Sequence, residues 1–587
     1  MKTYILLLLF SFFTIMSAQA KDIFVATTGD IATGTGTIDS PYQTIQKASN
    51  VAVSGDIIQV RAGIYREMVD IKANGVTFQP YNGEAVTING MDLLTSWTLT
   101  SGTTYQTTMS WNVTAQWGSN QLFSDGKMIE LARWPDQTSA NIVKPTLAIA
   151  DAVTASGTKC TITDASFNEP DGRWAGAKIW INLSNMENDG QGWTGTVIST
   201  NASAHTITLD FRGDVPLGSK PWGMNNKTEF FLFNPTAAGV NSTGGIDALL
   251  SNGEWWKNGN TLYVKTPNGD VPSASESGTN VIEAKRRHFA FFPSVTKYGY
   301  TIKGFNLFGC AITTDNNPWT NANVILEAAH DIIIDGIAAK YVSHQTIMEG
   351  NWQNEFCYGA GIVLRGRNNI IRNCTIQYSA TAAIHVSGFG NKVLNNIISN
   401  TNYMCANSGA VNTGFICQDV EIANNTINNT TIMAISFGCV INSNINTPDQ
   451  ARIHHNTIYN FMLRSGDSGA IDGFGYNRQY FRVDHNVIYN TVPTSGSSMV
   501  HGIYFDYGGD DQISNSTIDH NIITDVPVPI LINSVRFMNV FNNVALSNNG
   551  GFSILNGNGY TKGVDVKIYN NILSNRPNNN PTDGWST

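Results

Sequence analysis

From residue 370 onward the apolar positions follow a recurring phrase and not a helical stripe. The phrase has two or three β-forming residues, an Asn after a polar neighbour, and a β-branched pair. It reads IIRNCTI at Asn373, VLNNIIS at Asn396, EIANNTI at Asn425, RIHHNTI at Asn456, RVDHNVI at Asn486, TIDHNII at Asn521, VFNNVAL at Asn543 and IYNNIL at Asn571. The steps between these asparagines are 23, 29, 31, 30, 35, 22 and 28 residues. Self-similarity at so uneven a period predicts a solenoid whose coils have a fixed minimum size and carry loops of different lengths. The leucine spacing and helical half-repeat of a leucine-rich array are missing, so the expected fold is all-β, a right-handed parallel β-helix. Asn suits the bend between two strands because it tolerates the left-handed backbone and hydrogen-bonds locally, and equivalent asparagines are expected to stack as a ladder.

A second landmark aligns the coils. A small residue precedes an aliphatic one at Gly361-Ile362, Ala383-Ile384, Ala410-Val411, Ala434-Ile435, Ala470-Ile471 and Gly502-Ile503. If the aliphatic residue points inward, strand alternation sends every second residue out. The inward partners Leu364, Val386, Thr413, Phe437 and Phe505 are mostly apolar, with Gly473 the exception. One outward column then reads Val363, His385, Asn412, Ser436, Asp472, Tyr504, and the other Arg365, Ser387, Gly414, Gly438, Phe474, Asp506. A polar and aromatic face of this kind is expected to bind something.

Upstream the pattern changes. Lys2, an apolar run over residues 4–16 and Ala18-Gln19-Ala20 form a signal peptide over residues 1–20, so the mature chain is expected to start near Lys21 and to be secreted or periplasmic. The run is shorter than a membrane span requires, and no comparable stretch follows. Residues 21–92 hold a cap and the first coils: residues 42–52 read as a short amphipathic helix covering the open end, and Gly55-Asp56-Ile57 as the start of the first coil. Over residues 93–290 the Asn phrase gives way to alternating strands such as KIWINL, TITLDF and TLYVKT with Asn-Gly turns, which predicts an inserted antiparallel β-sandwich or barrel. Residues 291–587 are the main β-helix.

Composition narrows the partner. A net charge of -9 with no basic stripe argues against nucleic acid and anionic membranes and favours a neutral substrate over a densely acidic one, and the chain is expected to be monomeric. Seven cysteines, an odd number without metal-type spacing, read mainly as buried thiols.

Residues 55–67, with the cap before them, resemble the opening of many β-helical carbohydrate-active enzymes, including the alginate and chondroitin lyases of polysaccharide lyase family 6. QLFSDGKMIELARWP (residues 121–135) and NGEWWKNGNTLYVKTPNGDVP (residues 252–272) resemble the inserted module of β-helical glycoside hydrolases such as family 141. SGDSGAIDGFG (residues 465–475) and GIYFDYGG (residues 502–509) resemble the acidic coil segments those enzymes use for catalysis. Relatives often carry Tyr where this chain has Asp472, and the Asn-Gly-x-Glu-x-x-Arg signature of the family 6 lyases is absent. The resemblance implies a secreted glycoside hydrolase acting on a plant or algal poly- or oligosaccharide.

That chemistry needs two carboxyl groups across the scissile bond. The register puts Asp472 and Asp506 on adjacent coils, their backbones on the order of 8 Å apart. Depending on side-chain orientation the carboxyls stand at ~5 Å or ~9 Å, so retention and inversion both stay open. Asp467, just before the Asp472 strand, competes with Asp472 to partner Asp506. His385, Arg365 and Asn412 are expected along a substrate groove. Tyr504, Phe474 and Trp352 are candidate sugar-stacking faces, and the 343–358 loop with His344 and Glu349 is a candidate wall. No cofactor is required, although Asp510-Asp511 would suit a calcium ion. A lyase or uronate epimerase would instead need a base and a cation near a uronate, and a non-catalytic carbohydrate-binding solenoid would need neither.

Overall fold

The computed structural model describes residues 20–113, 118–156, 159–182, 192–210, 224, 226–234, 244–318, 328–348, 361–438, 450–474, 478–491, 500–506, 513–533, 535, 537–547, 552–555 and 565–573. The signal-peptide reading, Glu349, Trp352 and Asp510-Asp511 lie outside these residues, as do the side chains of Phe474 and Asp506. No helix among the described residues is long and apolar enough to cross a membrane.

The chain winds into a right-handed parallel β-helix. One sheet runs through 13 strands from Asp22–Val25 to Lys567–Tyr569, a second through 12 from Gly63–Tyr65 to Ile572–Leu573, and a third through eight from Ile362–Arg367 to Phe552–Leu555. Along the first sheet Ile58, Phe78, Ile302, Ile334, Ile371, Val393, Ile422, Ile453, Val483, Ile518 and Val540 pair in register, none more than 2% exposed. Burying each such side chain stabilises the fold by about 1.5–3 kcal/mol, so this stack is one of the solenoid's main sources of driving force.

The asparagine ladder exists, but with a different division of labour from the one expected. The left-handed position is taken by the preceding residue: Asn395, Asn424, His455, His485, His520, Asn542 and Asn570 all have φ near +55°. The repeated Asn itself points inward. Asn396 donates from its backbone N and its Nδ2 to Asn425 Oδ1, both at 2.9 Å, and Asn425, Asn456, Asn486, Asn521 and Asn543 each treat the next coil's Asn the same way. Asn373 therefore belongs one position earlier, with φ 56°, and Cys374 occupies the ladder, its N donating to Asn396 Oδ1. Five cysteines, Cys160, Cys310, Cys374, Cys405 and Cys417, are buried free thiols.

The cap helix is Ile45–Val51, with Ile45 and Ala48 buried and Thr44 as N-cap. The first coil begins earlier than expected, because Asp22–Val25 already pairs with Ile57–Val60. The intervening module is built from two mainly antiparallel sheets, one gathering Met91–Leu94, Leu122–Ser124, Lys127–Leu131, Glu254–Asn258 and Ile282–Lys285, the other Lys178–Asn182, Gly192–Asn201 and Glu229–Phe233. One pairing within it is parallel, Glu130 and Leu131 against Glu254 and Trp255. The solenoid closes over the insertion: Thr301 and Ile302 pair directly with Thr77 and Phe78.

Candidate active site on the third sheet

The third sheet sets the site because its pairing fixes which side chains share a face. Ile362, Ile384, Val411, Ile435, Ile471, Ile503 and Ile530 align and are fully buried, so their neighbours point outward. The same register puts Val363, His385, Asn412, Ser436, Asp472 and Tyr504 in one row, as the alternation predicts. The second row holds from Arg365 to Ser387 and again from Gly438 through Phe474 to Asp506. Between them it breaks, because the register shifts and Gly388 pairs with Cys417, so Gly414 does not continue that row.

Gly473 departs from the inward apolar row for a steric reason. A Cβ there would stand 2.8 Å from the Phe505 ring and 2.9 Å from Phe437 Cζ. Those two rings meet edge to face at 5.6 Å in the space the glycine leaves.

Asp472 is 5% exposed, and its Oδ2 accepts from Ser468 Oγ at 2.5 Å and from Gly469 N at 3.2 Å. Both donors come from its own strand, so the carboxylate is oriented before any ligand arrives. Asp506 ends the adjacent strand, Val500–Asp506, opposite Phe474 and two residues beyond the partner of Asp472. Asp467 has φ 56° and immediately precedes the Ser468–Phe474 strand. Tyr504, buried opposite Asp472, packs its ring at a tilt against His501 with centroids 4.6 Å apart, and His501 Nδ1 lies 3.0 Å from Ser468 O.

The rest of the row is less open than a solvent-facing groove. His385 is buried; burial and the nearby Arg365 charge push its imidazole down to about 3, so it is neutral, with Nδ1 3.4 Å from Asn412 Nδ2. Arg365 is buried as well, ion-paired to Asp315, with Nε 3.2 Å from Ser387 Oγ. Two buried, mutually paired charges hold each other in place, which makes Arg365 a structural element of the row. Ser436 is half-buried.

His344 stands elsewhere, against the inserted module, with Nδ1 2.7 Å from Tyr403 OH. The reading of single coils also misses what the module brings to the Asp467 end. Trp180 Nε1 donates to Met404 O at 3.0 Å, the Arg464 guanidinium lies 4.7 Å over the Trp180 ring, and Arg464 pairs with Glu229 at 3.2 Å. Asn182 Nδ2 donates to both Glu229 Oε2 and Arg464 O. The contacts of Trp180 with Met404 and of Asn182 with Arg464 bridge more than 200 positions of sequence, and only the Trp and Asn in KIWINL hinted at them.

No protein-family model matches the chain. A curated relative, the uncharacterized protein YwoF of Bacillus subtilis (strain 168), is 37% identical over 60 residues, 9% of this chain and 13% of that protein, well short of two thirds of its length. Among solved structures, one named glycoside hydrolase superposes with a TM-score of 0.62 at 11% identity, covering 94% of this chain and 96% of that one. The complex of XylC with xylose gives 0.44 at 15% identity, covering 94% and 75%. Over nearly its whole length the chain thus shares the β-helix fold of a solved glycoside hydrolase.

Proposed function

We propose that the chain is an exported, monomeric glycoside hydrolase that cleaves a poly- or oligosaccharide with Asp506 and Asp472 as its carboxyl pair. The observation that carries this reading is the third-sheet register, in which the strand of Asp472 pairs with the strand that ends at Asp506, two residues beyond the partner of Asp472, with Asp472 oriented by Ser468 and Gly469. One acid protonates the leaving oxygen while the other attacks or activates water, and the reaction needs no cofactor. Asp467 is the alternative partner for Asp506. Tyr504, Asn412 and His385 share the row of Asp472, and Phe474 pairs with Asp506 in the second row. The likeness in fold to a glycoside hydrolase supports the class but does not choose the sugar. Against a lyase or epimerase, the one Arg of the mapped face is already neutralised by Asp315.

The test is turnover of plant and algal oligosaccharides by the wild type, Asp472→Asn and Asp506→Asn, following reducing ends beside unsaturated-uronate absorbance. Hydrolysis predicts new reducing ends without unsaturation and a loss of about 10²–10⁴-fold in each variant, the size of an acid–base contribution. Unsaturated products would overturn the reading in favour of a lyase, and binding without turnover in favour of a passive sugar-binding solenoid.

A further inference from the structure

The module sheet that begins with Met91–Leu94 has eight strands and finishes with the hairpin of Thr98–Ser101 and Thr104–Thr108. It curls around one core, because Leu94 at its first end and Met109 just past its last belong to one buried cluster with Leu122, Leu262 and Ile282. Among the described residues the two ends do not pair with each other. Between them lies an open cleft of about 710 Å³, lined by Asp92 and Leu93 from one end and by Gln106 and Thr108 from the other. That volume falls inside the range of ligand-binding clefts, about 300–1,000 Å³.

Each charged side chain lining the cleft is answered from within the protein. Asp92 holds Arg286 on Oδ2 and Arg287 on Oδ1, both at 2.7 Å, and Arg66 pairs with Glu276 at 2.6 Å and with Glu283 at 2.7 Å. The uncharged polar side chains are different. Thr95, Ser96, Thr98, Gln106, Thr108 and Thr261 all line the cleft, and their side chains make no hydrogen bond among the described residues. Arg286 adds donors, since only Nη1 is spent, on Asp92. Its guanidinium lies 5.0 Å over the ring of the half-buried Trp111, and Trp111 is fixed in turn by Nε1 donating to Lys285 O at 2.9 Å. Trp111 and Leu93 give the cleft an apolar strip.

We propose that this cleft is a carbohydrate-binding site separate from the third-sheet row, taking a segment of a neutral oligosaccharide. Its ligand has to bring hydrogen-bonding groups to six uncharged side chains, an apolar face to Trp111 and Leu93, and no net charge. A pyranose chain has all three: hydroxyls around each ring, C–H groups on its faces, and no ionised group. A charged sugar gains nothing extra, because the ion pairs of Asp92, Arg66 and Arg286 leave no countercharge over. The cleft is open and not shut around its contents, so a chain can run through it. This site does not rest on the hydrolase reading, because none of its residues lies on the coils that carry Asp467, Asp472 and Asp506.

Titration calorimetry of the full chain with cellotetraose, xylotetraose, mannotetraose and laminaritetraose, and with tetragalacturonate as the charged control, tests the proposal. At least one neutral tetrasaccharide should bind saturably, and about tenfold or more tighter than tetragalacturonate. Thr108→Arg puts bulk into the cleft from an exposed position, so it should leave the melting temperature unchanged and weaken that binding about tenfold or more. Trp111→Ala should weaken it as much, and Gln106→Ala, which removes only an amide from a half-buried position, is the second arm if Trp111→Ala melts early. Absence of saturable binding to all four neutral sugars would overturn the proposal, as would equal or tighter binding of tetragalacturonate. Binding that survives both Thr108→Arg and Gln106→Ala would overturn it as well, and its loss in Asp472→Asn would then put the sugar on the coil face.

Discussion

At the scale of single residues, the inward asparagines hold register and the aliphatic stack holds the fold together. Each ladder Asn ties two donors of one coil to one oxygen of the next, as Asn425 does to Asn456 Oδ1 at 3.0 and 2.9 Å. Asn456→Ala should therefore leave Asn425 with unmet buried donors, at about 1–3 kcal/mol for each group. Thermal melting should show a clear loss for Asn456→Ala and a smaller one for Asn571→Ala, where the ladder's last member is half in solvent. The buried histidines set the acid response. Burial holds His385 at about 3 and His501 at about 4, against about 6.5 in an unfolded chain. Between these limits the unfolded state binds more protons, so stability falls as pH drops from about 6.5, down to about 4 for His501 and about 3 for His385. Urea midpoints at pH 7 and pH 4.5 should show a smaller acid loss for His385→Gln than for the wild type; an equal loss would place the sensitivity elsewhere.

At the scale of elements, the third-sheet register decides which side chains share the candidate site, and Gly473 permits it. Gly473→Ala would drive a methyl into Phe505 and Phe437, and overpacking of this kind costs about 1–3 kcal/mol. If the strand shifts to relieve it, Asp472 moves with it, so loss of turnover should exceed what the drop in melting temperature explains. The outward row from Val363 to Tyr504 was legible in the sequence because alternation has a period of two and the aliphatic partners mark its phase. The break at Val411–Gln418 was not, because a register shift leaves no signature in a single strand. Nor was the Arg365–Asp315 pair, which spans 50 positions with Asp315 in no repeat phrase. The ladder was off by one position in role, since Asn fits both the left-handed bend and the inward amide stack. Only His455, His485 and His520, which replace Asn at the bend but never in the stack, separate the two.

At the scale of the whole molecule, the insertion leaves the solenoid almost undisturbed and packs its strands against the coil loops. Its edge, through Asn182, Glu229 and Trp180, reaches the loop that leads to Asp467, and its other strands roof a cavity at Glu130. The pairing of Thr301 with Thr77 has a consequence for the order in which the chain can mature. The opening coils present a raw edge of parallel strands until residue 301 has been synthesised and, if the chain is exported, delivered across the membrane. During that interval the edge is a template for mispairing, as uncovered strands are in general. The capped start protects only one side of those coils, so a nascent chain that stalls inside the insertion should be far more prone to aggregate than one that stalls after the next coil has closed.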